Sequence, residues 1–449
     1  MFTLNNLNKK LFICAMLLCI PNLNAEAVQM EAPSVTFLQT ENIDKKYTYR
    51  DAFLKTHEKT YSLKHHYLMT NTIELTTPTD NRTDNANKTT EKIEGRFERI
   101  NSSSNGGAIS NTGTGKIENI NSDFVLNSIY SETSKYGGAI YNKPSDKTTG
   151  ITTIVGDFIH NEVYVYGNDY EEANGGAIFN NGTIQSITGD FLSNNAISDY
   201  NYGVGGAIYN EYNGTISSIN GNFGYNQALG QYSQAGAIYN AGTINTINGD
   251  FYLNRIKGND WNQGGAIRNS GEITTINGTF YLNQISGEDI ARGGGIYNEG
   301  IIKDITGDFY NNLITVKASA PVPVNNTVSP AMARGTINYG DGNALVAGGA
   351  IYNTYELDNI KGNFVNNNIT AEASQATGGA LTNTAQIKNI EGHFIENNIN
   401  ALNAQGGAIS NTGEIGLISG DFVNNYVIGS SIAQGGAIYT FWQQLWKCR

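Results

Sequence analysis

Nothing constrains this chain more than its internal repetition. Counting from the first Gly of Gly264-Gly265-Ala266 as zero, large apolar residues fall at +3, +9, +12, +16 and +21 (Ile267, Ile273, Ile276, Phe280, Ile285), with Asn at +5 (Asn269) and +19 (Asn283). The preceding unit repeats these offsets with Ile238, Ile244, Ile247, Phe251, Ile256, Asn240 and Asn254. The following unit does so with Ile296, Ile302, Ile305, Phe309, Ile314, Asn298 and Asn312. GGA or a close relative begins at residues 106, 137, 175, 205, 235, 264, 293, 348, 378, 406 and 435, which makes ten complete units and the opening of an eleventh, most of them 28 to 31 residues apart. A fixed period of that size marks a solenoid, in which each unit covers the apolar edge of the next.

The offsets of 3 and 4 also suit an amphipathic helix, but the residue types do not. A helix would have to carry Gly182 and Gly189 with Thr183, Thr188 and Ile184 between them, all poor helix formers. β-Branched residues fit a pleated surface, and Gly and Asn tolerate left-handed turns. In GGAIYN the alternation is that of a strand, with Ile208 turned inward, Tyr209 outward and Asn210 inward or into a corner. The odd spacings farther on reset that parity, so the chain bends between short strands. The expectation is an all-β fold, a right-handed parallel β-helix of the pectin-lyase-like kind with about ten to eleven rungs. A single unit cannot offset the ordering of its own backbone, so stacking is obligatory.

Length variation is confined. From the first Gly to the Phe there are 16 residues in seven of the ten complete units, whereas the interval from the Phe to the next Gly runs from 12 to 39. Smaller insertions follow the +5 Asn, at Lys143–Gly150 and Glu211–Gly214. In repeat proteins the edge that collects insertions is often the binding edge. Residues 1–25, with Lys9, Lys10, an apolar run from Leu11 to Ile20 and Leu23-Asn24-Ala25, read as a secretory signal peptide. Residues 26–92 form a polar region that is partly disordered and caps the stack; its His57, His65 and His66 lack the Cys or spaced carboxylates of a metal site. The repeat domain is expected over 93–440. A loop excursion over 315–347 contains Pro321, Pro323 and Pro330 and competes with a hidden rung around Gly335-Thr336-Ile337. In the aberrant tail, 441–449, the Asn position has already become Thr440, which points to a truncated or frame-shifted reading frame. Phe441, Trp442 and Trp446 would serve as a makeshift lid.

The formal charge is −12, or −14 once Lys9 and Lys10 leave with the signal (−12 − 2), so the surface repels nucleic acid. Of three Cys only Cys448 lies outside the signal, and no disulfide framework exists. Asp precedes the Phe in several units (Asp123, Asp157, Asp190, Asp250, Asp308, Asp421), which suggests calcium. The same column holds Asn222, Thr279, Asn363 and His393, however, and a turn-forming role explains it better. His160 and Arg268 interrupt regular positions as surface substitutions without an evident partner. No catalytic carboxylate pair, nucleophile elbow, phosphate loop or zinc spacing stands out, so no catalytic residue, metal or cofactor is assigned. At +4, Tyr141, Phe179, Tyr209, Tyr239, Tyr297 and Tyr352 form an outward stripe interrupted by Arg268 and Thr382. Such a ladder suits ligand contact, or mutual stacking that stiffens the sheet.

GGAI[YFS]N paired with G[DN]FxxN, as in Gly175-Gly176-Ala177-Ile178 with Phe191 and Asn194, or Gly406-Gly407-Ala408-Ile409 with Phe422 and Asn425, resembles the GGA[ILV] and FxxN repeats of the polymorphic outer membrane proteins and related autotransporter adhesins of Gram-negative bacteria. The resemblance spans residues 93 to 439. It implies a monomeric passenger, exported across the inner membrane and displayed outside the cell, that adheres to a host-surface protein or glycan. It also implies a C-terminal translocator barrel, but no run of alternating strand segments of that kind follows here. A periplasmic or released product, a structural surface repeat without a specific ligand, and a polysaccharide-active β-helix enzyme are the competing expectations.

Overall fold

A computed structural model of the chain describes residues 82–440, apart from 147–148, 168–169 and 318–345. The signal segment, most of the polar region with its three His, the proline-bearing part of the excursion and the tail 441–449 lie outside the described residues. Every described element is a strand, and the strands pair in parallel into three long sheets of 12, 20 and 18 strands, wound as a solenoid of about 11 turns. One repeat makes one turn. The unit starting at Ala235, for example, gives Ile238–Asn240 to sheet A, Thr243–Asn248 and Phe251–Tyr252 to sheet B, and Arg255–Lys257 and Trp261–Gln263 to sheet C.

Equivalent residues stack on each other: Ile238 pairs with Ile267, Ile244 with Ile273 and Phe251 with Phe280. The Ala at +2, the Ile at +3, +9 and +12 and the Phe at +16 fill one continuous interior, while the +21 residues fall in two neighbouring clusters. Each fully buried Ile or Phe contributes roughly 1.5–3 kcal/mol. The Phe column runs unbroken from Phe97 to Phe422, its rings nearly parallel at centroid distances from 4.6 to 5.2 Å. Offset stacking adds about 0.5–1.5 kcal/mol per pair beyond burial.

The corners explain the rest of the motif. The first Gly of GGA is left-handed, with φ from +63 to +75°, and Ala235 stands in its place at +58°. The second Gly is required for a different reason. A Cβ on Gly236 would sit 2.2 Å from the carbonyl oxygen of Gly265 on the next turn, and one on Gly265 2.0 Å from that of Gly294. At FxxN the residue before the Asn is also left-handed, although it is Leu126, His160, Ser193, Tyr225, Leu253 or another non-Gly residue. That conformation costs roughly 1–2 kcal/mol per residue, and the Asn offsets it. Asn254 Nδ2 donates to Phe223 O (2.9 Å) and to Asn283 Oδ1 (3.0 Å), and its own N–H also reaches Asn283 Oδ1 (3.2 Å). The +5 Asn form a second ladder, fully buried from Asn85 to Asn383, with Asn240 Nδ2 donating to Asn269 Oδ1 at 2.8 Å.

Several boundaries differ from expectation. The stack begins before residue 93: Thr83–Ala86 pairs with Ile109–Gly113, and Asn85 heads the +5 ladder by donating to Asn111 Oδ1 at 2.7 Å. Thr83 and Thr90 occupy the +3 and +9 Ile positions, so the first half of this turn lacks the hydrophobic signature while its polar ladder is intact and Ile93 and Phe97 still fill the core. No hidden rung interrupts the stack between the units at 293 and 348. Ile296–Asn298 pairs directly with Ile351–Asn353, and Phe309 stacks on Phe364 at 4.9 Å. The excursion departs after Leu313–Val316 and returns at Val346–Ala347, both strands of sheet C. Length variation after FxxN therefore falls between the two sheet C segments of a turn, and the frame closes in register around it.

Candidate functional site

Along each sheet A strand the +3 Ile points into the core, so the +4 residue points out. Tyr141, Phe179, Tyr209 and Tyr239 stand in register on successive turns, with ring centroids 5.1, 5.4 and 4.7 Å apart. Arg268 follows, then Tyr297 and Tyr352, themselves stacked at 5.4 Å. The column is therefore in register throughout, with Arg268 between its two aromatic runs and Thr382 after the second. It is not uniformly open: Phe179, Tyr297 and Tyr352 are only 2, 5 and 2% exposed, whereas Tyr141, Tyr209 and Tyr239 are half-buried.

What covers them is the last residue of sheet C before the GG corner. Tyr136, Asn174, Val204, Gln234, Gln263 and Arg292 hold that −1 position in register. Their side chains meet the +4 column across the corner. The Tyr136 and Phe179 ring centroids are 4.9 Å apart, the Arg292 guanidinium lies 5.2 Å over the Tyr352 ring, and Thr377 Oγ1 is 3.2 Å from Thr382 Oγ1. Two outer faces can touch in this way only if the surface is concave there. The −3 column of sheet C lies on the same outer face, and it carries Tyr202 and Tyr232, stacked at 4.8 Å, and then Trp261, which is 52% exposed. Sequence reading missed this second aromatic row because it follows the variable interval, where offsets counted from the GGA behind it drift. Counting backward from the next Gly would have found it.

Arg268 is no isolated substitution, contrary to expectation. Its guanidinium lies 5.2 Å from the Tyr239 ring and 5.6 Å from the Tyr297 ring, donates to Gln234 Oε1 and pairs with Glu299. Its partners come from neighbouring turns, which sequence spacing does not display. His160 occupies a left-handed FxxN corner (φ +54°) and donates its N–H to Leu192 O at 2.9 Å. Burial, and next the carboxylate of Glu211, pushes the Tyr141 phenol up to about 12; burial, and next Glu299, does the same for Tyr297. Tyr209 is raised too, by burial first and then by Tyr239 and Glu211. These phenols stay neutral over the ordinary pH range and act as hydrogen-bonding aromatic surfaces.

The Asp column has a structural task. Asp157 Oδ1 accepts from the N–H of Asp190 (2.8 Å), Asp190 Oδ1 from that of Asn222 (2.8 Å), and Asp250 Oδ1 from that of Thr279 (2.7 Å), each one turn on. Among the described residues no group of three or more His, Cys, Asp or Glu is placed to hold a metal ion. The outer face of sheet B offers only shallow depressions. Their side chains satisfy one another, as Asn389 Nδ2 to Asn359 Oδ1 and Asn359 Nδ2 to Asp304 Oδ1, both 2.8 Å, illustrate. The corner between sheets A and C thus brings two in-register aromatic rows onto one surface. No family model, curated protein or solved structure matches the chain.

Proposed function

We propose that this chain is the binding portion of a secreted or surface-displayed adhesin of the autotransporter-passenger kind, and that it holds a host-surface protein or glycan along the A–C corner. Export and display outside the cell belong to the same proposal, which draws on the repeat pattern. The observation that carries the binding role is the pair of facing aromatic rows, Tyr209–Tyr239 on sheet A and Tyr202–Tyr232–Trp261 on sheet C, along one concave surface. Aromatic area with a polar handle is costly to leave in water and favours contact. Rigid stacking also means that little side-chain entropy remains to be lost on binding.

The test is binding of the purified chain to glycan arrays and to intact host cells, comparing the parent with Tyr209→Ala/Tyr239→Ala and with Trp261→Ala. Removing anchor aromatics costs about 2 kcal/mol or more at an interface, so at least a tenfold loss is expected. Undiminished binding by both variants would refute the assignment to this corner. Turnover of an acidic polysaccharide would support the enzymatic alternative instead.

A further inference from the structure

The corner contains its own example of a held cation. Arg268 is clasped between the Tyr239 and Tyr297 rings, with Gln234 and Glu299 accepting from its guanidinium. Three turns earlier the equivalent places are filled by Tyr141, Phe179 and Tyr209, with Tyr136 standing for Gln234 and Glu211 for Glu299. Phe179 occupies the place of the arginine, so the carboxylate and the aromatic clasp persist without the cation between them.

Charge accumulates at this level. Glu172 lies on the −3 column, one turn before Tyr202, and both Glu172 and Glu211 act on the Tyr136 phenol, whose proton affinity is raised by burial first and then by Glu172, Glu211 and Glu171. Glu171 is engaged by the N–H and hydroxyl of Ser134 at 2.5 and 2.7 Å, with Lys135 near it. Glu211 and Glu172 receive neutral donors, the side-chain amides of Asn181 and Asn174. A separate observation concerns Asn174 on the −1 column. It is 2% exposed and its Nδ2 donates to Glu172 Oε2 at 3.2 Å, yet its Oδ1 accepts no hydrogen bond. A buried carbonyl oxygen without a donor has lost its hydration and gained nothing in exchange. An incoming group rich in N–H would make good that loss.

We infer that the stretch of the corner around Tyr136, Asn174, Glu172 and Glu211 receives a cationic side chain, guanidinium before ammonium, from a basic segment of a protein partner. The inference rests on the reading of the corner as a contact surface and narrows its ligand to a protein with exposed arginine. A flat guanidinium stacks on Tyr136 and Tyr141 while its five donors reach two carboxylates and the Asn174 oxygen, a match that an ammonium point charge makes less completely. The acidic chain, −12 overall, also draws such a segment in from a distance.

The experiment uses the full chain and an acetylated, amidated Gly-Arg-Gly-Arg-Gly peptide, with the citrulline peptide as its neutral, equal-sized counterpart, in calorimetric titrations at low and moderate salt. The arginine peptide should bind at least tenfold more tightly than the citrulline peptide. Glu172→Gln/Glu211→Gln and, separately, Tyr136→Leu should each weaken it about tenfold. Glu94→Gln/Glu391→Gln, of equal charge change on sheet B, should leave it unaltered, and circular dichroism should show all variants folded. Equal affinity for the two peptides, or an equal loss from the sheet B pair, would overturn the inference. If the arginine peptide fails while a cell or glycan ligand still depends on Tyr209 and Tyr239, only this inference falls. If no ligand responds to any corner variant, the reading of the corner falls with it.

Discussion

Asn254→Ala tests the polar ladder on which the winding depends. Asn254 is fully buried, and four hydrogen bonds run through its side chain: two donated by Nδ2, to Phe223 O and Asn283 Oδ1, and two accepted by Oδ1, from the N–H of Asn226 (3.1 Å) and from Asn226 Nδ2 (3.0 Å). Truncation leaves the Asn226 N–H, one Asn226 amide proton and the Phe223 carbonyl short of a partner, in a place water does not reach. At about 1–2 kcal/mol for each of the three, the lower part of the range for a buried group left unsatisfied, the cost is about 3–6 kcal/mol. Asn425→Ala supplies the internal contrast. Asn425 also accepts from the N–H and Nδ2 of Asn397 (3.0 and 2.9 Å), but it is partly exposed, and water can replace what is lost. Because a solenoid opens locally as well as globally, the suitable assay is native-state hydrogen exchange read at Asn226 and its neighbours. Exchange there should accelerate by two to four orders of magnitude in Asn254→Ala and far less around Asn397 in Asn425→Ala. A central substitution costing under about 1 kcal/mol, or no more than the terminal one, would show that the ladder merely fills space. Asn254→Leu, which keeps the branched side chain without its hydrogen bonds, would then be better tolerated than Ala rather than as damaging.

Three further outcomes follow from the same geometry. Gly264→Ala should be the milder of two glycine substitutions in chemical denaturation: a Cβ built there would meet the Ile267 carbonyl oxygen at 2.2 Å, but the backbone at Ala235 accommodates a Cβ at the equivalent left-handed corner at φ +58°. Gly236→Ala, whose Cβ would meet the Gly265 carbonyl oxygen at 2.2 Å, should cost more than about 3 kcal/mol or prevent folding. With Tyr297 held up to about 12 against an ordinary 10, both folded and unfolded chains keep the proton below pH 10, and stability is flat there; between about 10 and 12 only the unfolded phenol ionises, so stability falls as pH rises, by up to about 1.4 kcal/mol per unit. Alkaline denaturation of Tyr297→Phe against the parent should show that slope diminished. A double-mutant cycle on Arg268→Gln and Glu299→Gln should give a coupling of about 1–3 kcal/mol, because the pair is largely buried and also stacked on two tyrosines. A coupling near zero would return Arg268 to the status of a surface substitution.

Much of the fold was legible because its physics is periodic. The Ile and Phe columns, the two Asn positions and the corner at GG repeat often enough that their spacing alone forces stacked short strands, and their coordinates agree. The first turn escaped because Thr83 replaces its Ile; there the ladder donor Asn85, a polar signal, carries the register. The Asp before the Phe was legible as a turn residue, and its bond to the next turn's N–H gives the reason.

The candidate site was legible only by half. Alternation within GGAIYN was enough to turn the +4 aromatics outward, so Tyr141, Phe179, Tyr209, Tyr239, Tyr297 and Tyr352 could be named from the sequence. Their burial, the second row at Tyr202, Tyr232 and Trp261, and the clasp around Arg268 depend on how sharply sheet C turns into sheet A. They depend also on which neighbouring turn supplies a partner. A one-dimensional period determines what lies above and below a residue, because the repeat itself sets that distance. What lies across a concave corner is set by the closing angle of the coil, a property of the assembled backbone that no single unit encodes.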